Sequence, residues 1–160
     1  MSGLNISDLE SGGKSWTPEE IGDKISGKIA LVERRQQRDF TTGDPLNWDD
    51  GSPRLLTYIE LQTDERDPEI EDDQGIRALY AKGGNYDVAE GKGQAMEKAI
   101  VAAVKAAGAK SIDEGAKLTV AQTGRAKATV RGYQPARLYT AKYEAPTASV
   151  DVDDLFSDDD

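Results

Sequence analysis

Cysteine and histidine are both absent from this chain of 160 residues. Without cysteine there are no disulfides, thiolate nucleophiles or cysteine-ligated zinc sites. Without histidine there is no Ser-His-Asp or Cys-His catalysis and no histidine-ligated metal. Carboxylate, lysine, tyrosine and serine chemistry remains, but no catalytic pair of such residues stands out. We therefore expect a protein that is not an enzyme and has neither a cofactor nor a metal ion.

Long apolar runs are absent as well. The first 20 residues lack the apolar core of a secretory signal. Nowhere does the chain contain the ~18 consecutive apolar residues that indicate a transmembrane helix. The sequence therefore predicts a cytosolic protein that does not bind membranes.

Charge is plentiful but unevenly distributed. The chain has 30 acidic and 20 basic residues, and a net charge of −10. Residues 63–73 contain seven acidic residues and one arginine, and residues 147–160 contain six acidic residues and no basic one. Between them, residues 118–146 have a single acid, Glu144, and a set of five cations: Arg125, Lys127, Arg131, Arg137 and Lys142. A basic segment followed by a polyanionic tail indicates a nucleic-acid binder with a built-in competitor.

The length allows one domain with polar tails. Residues 1–15 are rich in glycine and serine, and we predict a disordered arm there. Residues 16–146 form the predicted domain, and residues 147–160 are predicted to be a disordered acidic tail.

Hydrophobic periodicity predicts five strands and one helix in the domain. Thr17–Glu20 has the pattern of a one-turn helix start, Thr41–Pro53 that of a long loop, and Thr123–Pro135 that of a basic, flexible turn. The first predicted strand begins at Asp23. The other four span Arg54–Thr63, Gly75–Lys82, Lys117–Gln122 and Ala136–Glu144, and the predicted helix spans Gly93–Ala107.

This order, three strands, one helix and two strands, predicts a mainly β fold, a five-stranded β-barrel of the OB type. An SH3-like barrel or a general α+β sheet could show the same order of elements.

Several stretches also carry a family resemblance. These stretches are W-T-P-E-E-I-G-D-K-I-S-G-K-I at residues 16–29, R-A-L-Y-A-K-G at 77–83, the alanine-rich helix and the acidic end. Together they resemble phage-encoded single-stranded-DNA-binding proteins of the OB fold. The resemblance implies sequence-independent binding of single-stranded DNA in phage replication, recombination or repair, in the cytoplasm of the host cell. We expect a monomer or weak homodimer.

Binding a single strand without reading its sequence requires cations along the phosphates and aromatic faces for the bases. In an OB fold these groups come from the loops between strands 1 and 2 and strands 4 and 5, and from the face of strands 2 and 3. The predicted nucleic-acid-binding residues are Arg34, Arg35, Arg38, Phe40, Trp48, Arg54, Tyr58, Tyr80, Lys82, Arg125, Lys127, Arg131, Tyr133 and Arg137.

The acidic tail resembles the ends of bacterial single-stranded-DNA-binding proteins and several phage analogues, which recruit replication and repair partners through an acidic end with an aromatic residue. The corresponding partner-binding residues here are Asp153, Asp154, Leu155 and Phe156. Phe156 is followed by Ser157 and three aspartates, so a pocket that reads a terminal phenylalanine carboxylate could not be satisfied in the same way. Competition with DNA depends only on the charge of the tail.

Two other functions fit the same residues. An RNA-binding OB module is one, because nothing in the sequence identifies a group aimed at a 2′-hydroxyl. A protein-interaction module whose acidic segments dock on a basic partner is the other. The acidic run at residues 64–73 does not have the spacing of a calcium loop, and we interpret it as a hydrated connector.

Overall fold

The computed structural model describes residues 14–39, 41–128 and 135–146. The predicted partner-binding residues of the tail lie outside this part of the chain, as do Phe40, Arg131 and Tyr133. The described residues form strands β1 (Lys14–Ser15), β2 (Lys24–Gln36), β3 (Leu55–Gln62), β4 (Ile76–Ala81), β5 (Val88–Gly91), β6 (Lys117–Ala126) and β7 (Arg137–Glu144), with helix α1 (Met96–Ala106) between β5 and β6. The predicted mainly β class is confirmed.

Strand β2 is the centre of the sheet. Its second half pairs antiparallel with β3, and its first half pairs antiparallel with β6. Strand β3 also pairs with β4, and β6 also pairs with β7. Strands β2, β3, β4 and β6 therefore lie in the spatial order of a Greek key. The sheet is open, because no strand pairing among the described residues joins β4 to β7. It is mixed, because β1 pairs parallel with β4 while the other pairs are antiparallel.

The sheet has seven strands, two more than predicted. The additional strands are β1, which pairs parallel with β4, and β5, which pairs with the end of β6. They have two and four residues and are too short to show a period-two alternation. Strand β1 also corrects the predicted boundary of the arm, because Lys14 and Ser15 lie opposite Arg77 and Ala78 in the sheet.

The segment Thr17–Glu20 does not form the predicted helical turn. The Asp23 carboxylate accepts hydrogen bonds from the backbone N–H groups of Glu19 and Glu20 at 2.9 and 3.0 Å, and these bonds lower the pKa of Asp23. Gly22 then turns the chain at a φ of 108°, and β2 starts two residues later. A helix needs several consecutive residues to offset its nucleation cost, and this segment is too short.

Strand β6 extends four residues into the predicted turn at Thr123–Pro135. The cause is β5, which pairs with Gly124–Ala126. A Cβ atom at Gly124 would overlap the backbone oxygens of Lys92 and Glu90, so only glycine permits this close approach. Arg125 consequently lies in a strand.

The inner face of the sheet packs against α1. Its buried side chains alternate along the strands, as the sequence predicts, and Met96, Ile100 and Val104 of α1 cover them. Trp16 packs against this core from the edge. The start of the helix is tied to both sides of the open sheet: the Glu97 N–H donates to the Lys82 carbonyl at 3.2 Å, and Gln94 and Tyr139 exchange two backbone hydrogen bonds.

The outer face of β2, β3 and β4 carries a second, smaller apolar cluster. Leu56, Tyr58 and Ala78 are buried there, and Leu31 packs against them. The same strands thus bury apolar side chains on both faces.

No helix among the described residues is long and apolar enough to span a bilayer.

Candidate nucleic-acid interface

A groove with a volume of about 710 Å³ lies over the outer face at the ends of β2 and β4. We call it the Tyr80 groove. It is lined by Arg35, Gln36, Gln37, Arg38, Leu56, Tyr80 and Lys82. Three of these residues are cationic and none is acidic, in a chain whose net charge is −10. The local charge is therefore opposite in sign to that of the whole chain.

Tyr80 is the exposed aromatic residue of this groove. Leu79 and Ala81 are buried in the inner core, and because side chains alternate along a strand, Tyr80 lies on the outer face. Tyr80 is 46% exposed, and its ring packs edge-to-face with the Tyr58 ring at a centroid distance of 5.1 Å. A half-exposed ring supported from one side is suited to stacking against a planar ligand.

Tyr58 was predicted to stack on a base, but it is only 1% exposed. The Arg35 guanidinium carbon lies 3.6 Å from the centre of its ring, and Tyr80 covers its edge. The Tyr58 hydroxyl donates a hydrogen bond to Glu60 Oε2 at 2.7 Å, and burial raises the pKa of Tyr58. The prediction of direct stacking is corrected: Tyr58 is buried beneath Arg35 and Tyr80 and supports both side chains.

The cations of the groove have few competing contacts. Arg35 donates to Glu33 Oε1 at 3.0 Å, and Arg38 donates to the Gly43 carbonyl at 3.0 Å. Lys82 is exposed and takes part through its backbone carbonyl in the contact with α1. Except for Glu33, the described contacts of these three side chains leave their positive charge without a paired carboxylate.

The groove's two glutamine side chains are held by the protein. Gln36 Nε2 donates to the Leu46 carbonyl at 2.8 Å and to Asn47 Oδ1 at 3.0 Å. Gln37 Nε2 donates to the Leu55 carbonyl at 3.0 Å. These bonds fold the long loop between β2 and β3 back onto the strands and occupy both N–H groups of the Gln36 amide and one N–H group of the Gln37 amide.

Other predicted residues line a second groove, the Trp48 groove, which shares Gln37 with the Tyr80 groove. It has a volume of about 510 Å³. Trp48 is 53% exposed, and the Arg54 guanidinium carbon lies 4.5 Å from the centre of its ring. Arg34 donates to Thr57 Oγ1 at 2.8 Å and to Glu97 Oε2 at 3.1 Å, so an acid already pairs with its charge. The groove is lined by Arg34, Gln37, Trp48, Pro53, Leu55, Gly83, Gly84 and Glu97.

The described basic residues near the end of the chain do not line the Tyr80 groove. Arg125 and Arg137 are directly opposite each other on β6 and β7, and Arg125 Nη2 donates to the Glu19 carbonyl at 2.9 Å. Lys127 is exposed, and its backbone N–H donates to the Asp87 carbonyl. The structure thus brings Arg35, Arg38, Tyr80 and Lys82 together in the Tyr80 groove, whose lining does not include Arg34, Trp48, Arg54, Arg125, Lys127 or Arg137.

A smaller hollow adjoins the Tyr80 groove. We call it the Tyr86 depression; its volume is about 170 Å³. Its lining residues are Tyr80, Lys82, Gly83, Tyr86, Ala95, Met96, Ala136, Arg137 and Tyr139. Tyr86 is 46% exposed and was missed by the sequence analysis. The available signal was an aromatic residue directly after the break at Gly83-Gly84-Asn85.

The acidic run is fastened to the sheet by two ion pairs. Arg77 forms two hydrogen bonds with Asp73, at 3.0 and 2.8 Å, and they lower the pKa of the Asp73 carboxyl. Lys14 Nζ lies 2.8 Å from Asp67 Oδ2. Across the described ranges, no cluster of three or more potential ligand side chains could hold a metal ion.

These observations define a class of protein: a mainly β chain with an open, Greek-key sheet and a cationic, partly aromatic groove on its outer face. Comparison of the chain with family models, curated proteins and solved structures gives no match.

Proposed function

We propose that this protein binds single-stranded DNA without reading its sequence, and that it acts in phage DNA replication, recombination or repair. The observation that carries the proposal is the Tyr80 groove. It combines an exposed aromatic ring with three cations, and none of the described residues that line it is acidic. Stacking on an aromatic side chain is worth about 1–3 kcal/mol per base and accepts every base.

The strand order supports an OB fold as the framework. An OB fold is a partly open Greek-key barrel that binds oligonucleotides on the face of its second and third strands and the adjoining loops. If β2 is its first strand, then β3 and β4 are the second and third. The Tyr80 groove lies on that face, beside the connection between β2 and β3.

The state of the groove's glutamines supports binding that ignores sequence. Reading a base requires free donors and acceptors directed at its edges. Three of the four N–H groups of the two glutamine amides instead donate within the protein. The cations and the π-face of Tyr80 recognise phosphates and bases of any identity.

A titration of fluorescently labelled oligo-dT by anisotropy at several salt concentrations tests the proposal. Each phosphate neutralised on a single strand contributes about −0.7 to the log–log salt slope, so three groove cations predict a slope of about −2 or steeper. We expect Tyr80→Ala to weaken binding by about fivefold or more, since one base loses its stacking partner.

Val101→Ala is the control for that variant, because Val101 is exposed on α1 and lines none of the grooves. If the wild-type protein does not bind oligo-dT at low salt, the proposal is wrong, and a protein-interaction module becomes the better explanation. Preference for a matched RNA oligomer would instead indicate an RNA-binding module.

We further propose that the acidic tail competes with DNA for the cationic groove and recruits partner proteins. Residues 147–160 contain six acidic residues and no basic one. A chain that ends at Pro146 should therefore bind oligo-dT more tightly than the full chain at low salt, and with equal affinity at high salt, where an ionic competitor is screened. Equal affinities of the two chains at low salt would contradict the competition.

A further inference from the structure

The Tyr80 groove and the Tyr86 depression adjoin each other. Tyr80 and Lys82 line both hollows. From these two side chains the lining of the depression extends past the start of α1 to Arg137 and Tyr139 on β7. A ligand that lies on Tyr80 is therefore at the border of the depression.

The Tyr86 depression repeats the chemistry of the groove. Tyr86 is exposed to the same extent as Tyr80, 46% in each case. Arg137 is exposed beside it, and no acid is among the described residues that line the depression. An aromatic ring next to a cation, without a competing carboxylate, is the arrangement that binds one nucleotide of a single strand.

The depression is also supported by the backbone around it. A Cβ atom at Gly84 would lie 2.8 Å from Tyr86 Cε2, which means that the ring rests close against the glycine. The backbone hydrogen bonds between Gln94 and Tyr139 and between Glu97 and Lys82 join the elements on either side. The contact with Gly84 limits the positions of the Tyr86 ring, which reduces the entropy lost when a base stacks on it.

We propose that the bound strand continues past Lys82, stacks a second base on Tyr86 and sets a phosphate against Arg137. This inference rests on the proposed function, because it extends the same bound strand. It makes the binding site longer than the Tyr80 groove alone, and it assigns the connection between β4 and α1 a role in recognition.

The test compares oligo-dT ligands of about 4 and about 16 nucleotides, the limits of the site sizes common for one OB module. The short ligand is expected to occupy the Tyr80 groove, which has more cations. We expect Tyr86→Ala to weaken binding of the long ligand by about fivefold or more, and that of the short ligand by less than about twofold. Tyr80→Ala should weaken binding of both.

Arg137→Gln gives an independent readout. It should flatten the salt slope by about 0.7 for the long ligand and leave the slope of the short ligand unchanged. Lys110→Gln is the matched control, because it removes one exposed charge from a position outside both hollows. Circular dichroism and the thermal midpoint establish that each variant is folded.

Two results would overturn the inference and leave the proposed function standing. In one, Tyr80→Ala weakens binding of both ligands while Tyr86→Ala affects neither. In the other, Tyr86→Ala weakens binding of both ligands equally, which would mean that the short ligand already contacts Tyr86. If the wild-type protein binds neither ligand, the proposed function itself fails.

Discussion

Joint replacement of Arg35, Arg38 and Lys82 by glutamine is expected to weaken binding of oligo-dT by about 500-fold at about 0.05 M salt. Each phosphate contact on a single strand contributes about 0.7 to the salt slope, so its ionic contribution grows to nearly one logarithmic unit between about 1 M and about 0.05 M salt. Loss of three contacts should also flatten the slope by about 2. Anisotropy titrations across this salt range measure both quantities.

A matched triple variant separates the groove from the overall charge of the protein. Lys105, Lys110 and Lys117 line neither the Tyr80 groove nor the Tyr86 depression, and their replacement by glutamine makes the chain equally acidic. This control should bind nearly as well as the wild type. A similar loss in both triple variants would mean that net charge, rather than the groove, governs binding.

Tyr58→Ala is expected to lower the free energy of unfolding by about 3–5 kcal/mol, the cost of removing a large aromatic ring from a buried site. Tyr58 is 1% exposed and supports both Arg35 and Tyr80, so binding should weaken as well. Tyr58→Phe keeps the ring and loses the hydrogen bond to Glu60, a loss of about 1 kcal/mol. Its affinity for oligo-dT should equal that of the wild type. Urea denaturation and oligo-dT titration of the same samples measure the two effects.

Tyr143→Phe is the control for this pair of variants. Tyr143 is 3% exposed on β7, and its hydroxyl accepts a hydrogen bond from the Asp113 N–H and donates to the Ser111 carbonyl. It should lose stability without any change in affinity. If Tyr58→Phe weakens binding and Tyr143→Phe does not, the Tyr58 hydroxyl contacts DNA, and its interpretation as a buried support is wrong.

Neighbouring arginines show how far sequence patterns can predict a binding site. Arg34 and Arg35 are adjacent and of the same type, and both were predicted to contact nucleic acid. Alternation along β2 sends them to opposite faces, where Arg34 meets Glu97 of α1 and Arg35 lies on Tyr58. The partner from α1 is 63 residues away, and no local pattern predicts that contact.

The register of β2 could not be predicted from the sequence either. A bulge between Ile29 and Leu31 shifts its pairing with β3. An inserted residue in a strand reverses which side chains face the core after it. Period-two alternation is clear from Ile25 to Ile29, but it does not predict the faces of the cations beyond the bulge.

Local chemistry was sufficient for the parts of this protein that depend on periodicity and residue type. The sequence predicts the five longer strands, the helix between β5 and β6 and the inner core, because the period of buried side chains is repeated along each element. The exclusion of cysteine and histidine chemistry follows from composition. Tertiary structure decided which cations meet an acid from a distant segment. The pairing of β3 with β4 placed Tyr58 beneath Tyr80, and the packing of α1 placed Glu97 on Arg34 and left Arg35, Arg38 and Lys82 around the groove. A charge is available for a ligand only if no distant segment neutralises it, and distant segments meet only in the folded chain.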